Sequence, residues 1–266
     1  MTVKNKIVQE KVKIISQKKL GADYFCLTLE SERIAKSAIP GQFVQIKVSS
    51  GDTPLLRRPF GVHRVKGKIF DVLCQVVGPA TRILSQKKTG ECLDVLGPLG
   101  NGFDYRLQAK DYKLILVAGG MGVAPLLFLA EKLTGHKPLV LIGAKTKRQI
   151  LCLDEFKKLG CEVKIATDDG SMGFKGRVTG LLNNILRATS YKLRANLYAC
   201  GPKPMLQEVS RLAKTYHLAG QISLEEHLSC GIGACLGCVV NTKEGFQRVC
   251  KEGPVFLADQ IIWGKE

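Results

Sequence analysis

The sequence predicts an α+β chain of more than one domain: an antiparallel β-barrel, then a parallel α/β sheet, then a short cysteine-bearing segment. Three features point that way. The N-terminal part holds short β-rich runs separated by turn residues, strand-like and helix-like runs alternate from Tyr112 onward, and four cysteines crowd between residues 230 and 250. With 266 residues, 45% of them hydrophobic and 24% charged, the chain can bury two ordinary cores. The expected division is 1–108, 109–220 and 221–266.

In the first part, VKIIS, YFCLTLE, QFVQIKV, IFDVLCQVV and ECLDVLG are alternating or β-rich and fit strands. Pro40-Gly41, Gly51, Gly67 and Gly97-Pro98 punctuate them. Several short strands at this spacing indicate a small barrel. One helix interrupts it, starting near Pro79-Ala80-Thr81 and running through RILSQKK.

The second part changes rhythm. KLILVAG, PLVLIGA, CEVKIATDD and ANLYACG read as strands. MGVAPLLFLAEKL, DEFKKLG, VTGLLNNILRA and PKPMLQEVSRLAKTYHL read as the helices between and after them. Alternation of this kind builds a parallel sheet covered by helices on both faces. The most apolar stretch, Leu114 to Ala130, is broken by Gly119, Gly120, Gly122 and Pro125, so it is a buried strand, turn and helix rather than a membrane span. The first twenty residues lack the apolar core of a signal peptide, and a soluble, cytoplasmic protein is expected.

The net charge is +17, spread over the whole length rather than gathered in a tail. No reading helix or basic stripe with interleaved aromatics accompanies it, which argues against nucleic acid. Ten cysteines in a chain of this kind argue against a disulfide framework. Cys26, Cys74, Cys92, Cys152, Cys161 and Cys200 are scattered among apolar neighbours, and most of them read as buried thiols.

Cys230, Cys235, Cys238 and Cys250 instead have the spacing C-x4-C-x2-C-x11-C. Plant-type [2Fe–2S] sites use C-x4-C-x2-C and a distant fourth cysteine. The small residues Gly231, Gly233, Ala234 and Gly237 let backbone N–H groups approach the sulfurs. Four thiolates also suit a structural zinc ion, although zinc knuckles come as paired C-x2-C.

Two glycine turns follow strands and open helices. Gly119-Gly120-Met121-Gly122-Val123-Ala124-Pro125 is one, and Cys200-Gly201-Pro202-Lys203-Pro204-Met205 is the other. Side by side they would line a crevice at the carboxyl ends of the strands, where nucleotides bind in open α/β sheets. In the barrel part, Arg57-Arg58-Pro59-Phe60-Gly61 ends a strand with cations, a proline and an aromatic ring. Arg58 suits a pyrophosphate and Phe60 a planar ring, or the group is a surface arginine pair beside a core phenylalanine. Gly78-Pro79-Ala80-Thr81 puts small residues and a hydroxyl at a helix start, a second phosphate-type site.

Taken together, these residues resemble the ferredoxin–NADP⁺ reductase-like superfamily. RRPFGV is similar to its flavin motif, GGMGVAP to its nicotinamide turn and CGPKPM to its second nucleotide motif. LLRRP, DVLGPLGNGF, LEEHLSCGIGACLGCVV and KEGPVF resemble, more narrowly, the electron-transfer subunits of class 1B dihydroorotate dehydrogenases.

The resemblance implies FAD on Arg57, Arg58, Pro59, Phe60, Gly61, Cys74, Gln75, Val76, Gly78, Ala80 and Thr81. NAD is implied as co-substrate on Gly119, Gly120, Gly122, Pro125, Cys200, Gly201, Pro202 and Met205, with Cys200 near the nicotinamide. A [2Fe–2S] cluster is implied on Cys230, Cys235, Cys238 and Cys250. It further implies an FMN-containing catalytic partner that oxidises dihydroorotate in pyrimidine synthesis, in a heterotetramer. Related complexes, an NADH-dependent ferredoxin:NADP⁺ oxidoreductase or a sulfide dehydrogenase, share the plan. Gly61 departs from the motif, which has Ser or Thr there to reach the flavin N5. Glu225 and Glu226 read as carboxylates that cap and solvate a turn, or that orient the nicotinamide or flavin, and the basic run Lys145-Thr146-Lys147-Arg148 leaves NAD and NADP both open.

Overall fold

The computed structural model describes residues 7–51, 53–105, 112–189 and 194–264. The expected 108/109 division lies outside the described residues. The N-terminal part runs β1 (Val8–Lys19), β2 (Tyr24–Glu30), α1 (Glu32–Ser37), β3 (Phe43–Lys47), β4 (Arg58–Lys66), β5 (Ile69–Gln75), α2 (Pro79–Ser85) and β6 (Cys92–Leu99). These strands close into a barrel in the order β1-β2-β5-β4-β3-β6, every neighbouring pair antiparallel. Alternate residues fill it: Val12, Ile14, Leu27, Leu29, Val44, Ile46, Val62 and Val72 are buried in one cluster.

β4 is the strand that the sequence pattern does not reveal. Pro59, Gly61 and the charges Arg58, Arg64 and Lys66 break its alternation, and only the ladders on either side make it a strand. RRPFGV therefore opens a strand instead of ending one, which corrects the expectation above. α1 is also unannounced. Its six residues are too few for a periodic signal, and the Ser31 hydroxyl caps it by accepting the Ile34 N–H at 3.1 Å.

The second part follows as β7 (Lys113–Gly119), a 3₁₀ turn over Gly120–Gly122, α3 (Val123–Lys132), β8 (Leu139–Ala144), α4 (Leu153–Lys158), β9 (Glu162–Thr167), β10 (Phe174–Lys175), α5 (Val178–Ala188), β11 (Ala195–Cys200), α6 (Lys203–Thr215) and β12 (Ala219–Ser223). After β12 come β13 (Val239–Thr242), β14 (Gly245–Arg248) and β15 (Val255–Leu257). The sheet order is β10-β9-β8-β7-β11-β12-β15, parallel except for the last pair. The 220/221 division falls inside β12, so the cysteine segment grows out of the sheet and returns to its edge through β15.

α3 is apolar all round because it is covered on both sides, by the sheet and by β4 of the barrel. The His63 imidazole on β4 donates from Nδ1 to the Ala124 carbonyl at 2.9 Å, and Arg64 pairs with Glu131 at 2.5 Å. The cysteine segment is tied to the barrel exit in the same way. The Asn101 amide donates to the carbonyls of Lys251 (3.1 Å) and Glu252 (2.9 Å), and its N–H meets Gly253 O at 2.6 Å. Among the described residues, no helix is long and apolar enough to cross a membrane.

Candidate functional site

β7 and β11 lie side by side, and from them the chain runs outward to both sheet edges. At such a switch point the turns after the two strands diverge and leave a crevice. A cleft of about 1360 Å³ opens there. Gly119, Gly120, Met121, Pro202 and Met205 line it, with Tyr24 and Gln75 contributed by the barrel and Trp263 by the C-terminal tail. Gln75 Nε2 donates to the Tyr24 hydroxyl at 3.3 Å across that rim.

Gly122, Cys200 and Gly201 form the wall behind it. A Cβ on Gly122 would stand 1.9 Å from the Cys200 carbonyl oxygen, so only glycine lets the turns touch. Cys200 is 1% exposed. Burial and the Glu225 carboxylate push its thiol up, against a Ser223 hydrogen bond, so it is a neutral group rather than a nucleophile. Glu225 keeps exposed area, while the protein packed around its carboxyl raises it above the ordinary range.

The basic run after β8 divides. Lys145 lines the cleft beside Arg177, whereas Lys147 lines a separate cavity of about 500 Å³ between barrel and sheet.

The flavin-type residues of the barrel divide as well. Arg57 is committed to Asp94, with hydrogen bonds of 2.9 Å to its carbonyl and 2.7 Å to its carboxylate. Arg58 reaches only the backbone carbonyls of Leu56 and Arg57, at 2.7 and 3.2 Å, and can turn to an anion. Phe60 pairs with Val44 and packs with the barrel interior at 9% exposure, as the core-phenylalanine alternative has it. The Cys74 side chain is likewise core, so it offers only backbone. Thr81 accepts the N–H groups of Val77 (2.9 Å) and Gly78 (3.2 Å) and donates to Gly78 O (3.1 Å), shaping the turn that enters α2.

The cysteine loop gathers donors around sulfur. Backbone N–H groups of Gly233, Ala234, Gly237 and Cys250 donate to the sulfurs of Cys250 (3.1 Å), Cys230 (3.3 Å), Cys235 (3.5 Å) and Cys238 (3.4 Å). Cys230 lies against Cys235, and Cys238 against Cys250, so the thiols form two pairs. Burial works to raise Cys230, but N–H groups of Ile232, Cys235 and Ala234 with the Cys235 thiol pull it down to about 6. Burial and the neighbouring Cys238 push Cys250 up to about 12. Among the described residues no three His, Cys, Asp or Glu side chains converge to hold a single ion. Two thiol pairs ringed by N–H donors suit a two-iron, sulfide-bridged centre better than one tetrahedral zinc. Arg248 braces the loop, donating to Gly233 O at 2.9 Å while its guanidinium pairs with Glu252.

A barrel followed by a parallel sheet, joined across a nucleotide-type cleft, is the ferredoxin reductase-like fold. A ferredoxin NADP⁺ reductase from Neisseria gonorrhoeae with bound FAD and NADP shares it at a TM-score of 0.63 and 17% identity, over 79% of this chain and 92% of that one. A structure of an NADH-dependent reduced ferredoxin–NADP oxidoreductase is nearer, with a TM-score of 0.82 and 31% identity over 96% of this chain and 90% of that one. Family models match at residues 116–211 (oxidoreductase NAD-binding domain) and 225–262 (iron–sulfur cluster binding domain of dihydroorotate dehydrogenase B).

The chain is 40% identical to the dihydroorotate dehydrogenase B (NAD(+)) electron transfer subunit of Desulforamulus reducens, over 94% of this chain and 97% of that one. It is 38% identical to that of Geobacillus kaustophilus, over 96% and 99%. It belongs to the family of dihydroorotate dehydrogenase B electron transfer subunits.

Proposed function

We propose that this chain carries electrons from a separate FMN-containing subunit, which oxidises dihydroorotate to orotate in pyrimidine synthesis, to NAD⁺. The observation that carries the reading is the pair of thiol pairs on a donor-rich loop fastened to the barrel by Asn101. Bound together, a [2Fe–2S] cluster, FAD and NAD join one-electron to hydride chemistry, since a flavin exchanges electrons singly or in pairs.

The residues divide the work. Cys230, Cys235, Cys238 and Cys250 hold the cluster, and their backbone donors stabilise charge on sulfur. Arg58, Pro59, Gly61 and the backbone of Gln75, Val76 and Gly78 hold the flavin, on a frame set by Arg57, Phe60, Cys74, Ala80 and Thr81. Gly119, Gly120, Pro202 and Met205 receive the nicotinamide nucleotide, while Gly122, Pro125, Cys200 and Gly201 keep the turns in register. With its thiol neutral, Cys200 shapes and dries the wall rather than attacking anything. The barrel at 1–108, the sheet at 109–220 and the segment 221–266 are the corresponding functional units, working in a cytoplasmic heterotetramer.

The test is an anaerobic visible spectrum of the purified chain before and after NADH, with iron, sulfide and zinc analysis and assay of a copurifying partner. Flavin and iron–sulfur bands bleached by NADH, and a partner that oxidises dihydroorotate, are expected. A colourless protein with stoichiometric zinc sinks the reading. The 31% identity to the ferredoxin–NADP oxidoreductase structure favours one second reading, a related electron-transfer complex. A partner that reduces NADP⁺ from ferredoxin and ignores dihydroorotate would select it.

A further inference from the structure

We propose that Gln45 is a positioning residue for the cluster loop: its buried carboxamide turns to the Cys230–Cys235 segment and donates an N–H hydrogen bond to the sulfur shell of the loaded cluster. The inference rests on the reading of that loop as a [2Fe–2S] site.

Gln45 lies in β3 between Val44 and Ile46, which both point into the barrel core. Alternation therefore turns Gln45 outward with Phe43, which packs in the cluster formed by the sheet and the cysteine segment. The side chain is 0% exposed, and neither its Nε2 nor its Oε1 has a hydrogen-bond partner. Its strand neighbours cannot supply one. Opposite it stand Pro59 on β4 and Leu96 on β6, neither with a polar side chain.

Buried amides are nearly always satisfied, because an unpaired one forfeits its hydration for nothing. What the amide does face is the loop. A Cβ on Gly231, next to Cys230, would lie 2.7 Å from Gln45 Cγ and 2.9 Å from its Nε2. Gly231 also has φ +73°, a left-handed conformation that favours glycine. The loop thus closes down on the carboxamide at the point where only glycine fits. Four backbone N–H groups of the same segment already aim at sulfur, and Gln45 brings a side-chain donor to that shell from the barrel. β3 pairs with β4, so the residue sits between the cluster loop and the strand that carries Arg58 and Pro59.

N–H donors to sulfur favour the more negative, reduced cluster and raise its potential. Gln45→Met keeps the length of the side chain and removes the donor. In an EPR-monitored redox titration of the whole holoprotein, this variant is expected to lower the cluster midpoint. The shift should correspond to roughly a tenfold change in the oxidised-to-reduced ratio, about 59 mV for one electron. The flavin midpoint should stay where it is. A shift of the flavin alone, or of neither centre, overturns the proposal.

Should Gln45→Met fail to load its cluster, the wild-type protein still gives an answer. Labelling glutamine side-chain nitrogen with ¹⁵N should produce a hyperfine coupling in the ENDOR spectrum of the reduced cluster, and its absence overturns the proposal. Iron and labile-sulfide analysis of the wild type comes first. A wild type without either refutes the cluster reading itself, whereas a loaded cluster indifferent to Gln45 refutes only this inference.

Discussion

Replacing Gly122 by alanine would press a methyl group onto the backbone of β11. The new Cβ would meet the Cys200 carbonyl oxygen at 1.9 Å, its carbon at 2.4 Å and the Gly201 nitrogen at 2.9 Å. Gly122 itself has an ordinary right-handed backbone (φ −58°), so the cost comes from contact alone. Comfortable carbon contacts begin near 3.5 Å, so the two turns must separate by roughly 1.5 Å. No side chain can swing away, because the obstructing atoms are backbone held in the β7–β11 ladder.

Overpacking of this kind costs about 1–3 kcal/mol, and a backbone clash belongs at the upper end. Each kcal/mol lowers Tm by about 2–4 °C. The functional cost is larger, since misplacing a reacting group by about 1 Å can cost about 10²-fold in rate. Stopped-flow reduction of the flavin by NADH should therefore slow by at least tenfold, with FAD, iron and sulfide contents unchanged. A Gly122→Ala protein with wild-type Tm and wild-type reduction rate would refute the claim that the two turns support each other by direct contact.

Gly61→Ser should behave oppositely. The nearest atom to a Cβ there is Pro125 Cδ at 3.9 Å, so the variant should fold and keep its FAD while the flavin midpoint moves by redox titration. Arg58→Ala should lose FAD on gel filtration with the cluster retained, whereas Arg57→Met should keep FAD and lose stability instead.

That loss depends on pH. Burial works to raise the Asp94 carboxyl, but the Arg57 guanidinium and the Gln9 amide outweigh it and hold it below its ordinary range. A depressed carboxylate contributes above its unfolded pKa and loses that contribution as pH falls through the folded value. Denaturant melts should thus show Arg57→Met weaker by up to about 1 kcal/mol at neutral pH, with the difference narrowing in acid to what the Asp94 carbonyl bond leaves. Iodoacetamide at neutral pH should label the exposed Cys92 in holoprotein and spare Cys74 and Cys200, whose thiols burial raises; mass spectrometry reads this directly.

Much of the plan is local and therefore legible in the chain. C-x4-C-x2-C with a distant cysteine confines four thiols to one loop whatever the rest does, and the family resemblance followed from that motif with the glycine turns. Strands such as KLILVAG and helices such as VTGLLNNILRA carry their period in their own residues. β4 carries none. Pro59 and Gly61 weaken it, and it exists because β3 and β5 offer it ladders from distant parts of the chain.

Side-chain direction is the second thing the tertiary structure decided. Arg57 and Arg58 are neighbours of one type, yet Asp94 on β6 captures the first and leaves the second free to turn. Phe60 suits a planar ligand or the core equally in the sequence, and its pairing with Val44 turns it into the barrel. Gln45, one polar residue in an apolar run, looks like a solvent-facing position in the sequence. It is buried only because the cysteine loop, almost two hundred residues later, folds back over the barrel wall. Spacing along the chain determines which ligands share a loop; closure of the barrel and docking of the loop determine which side chains meet there, since those contacts join segments with no local relation to each other.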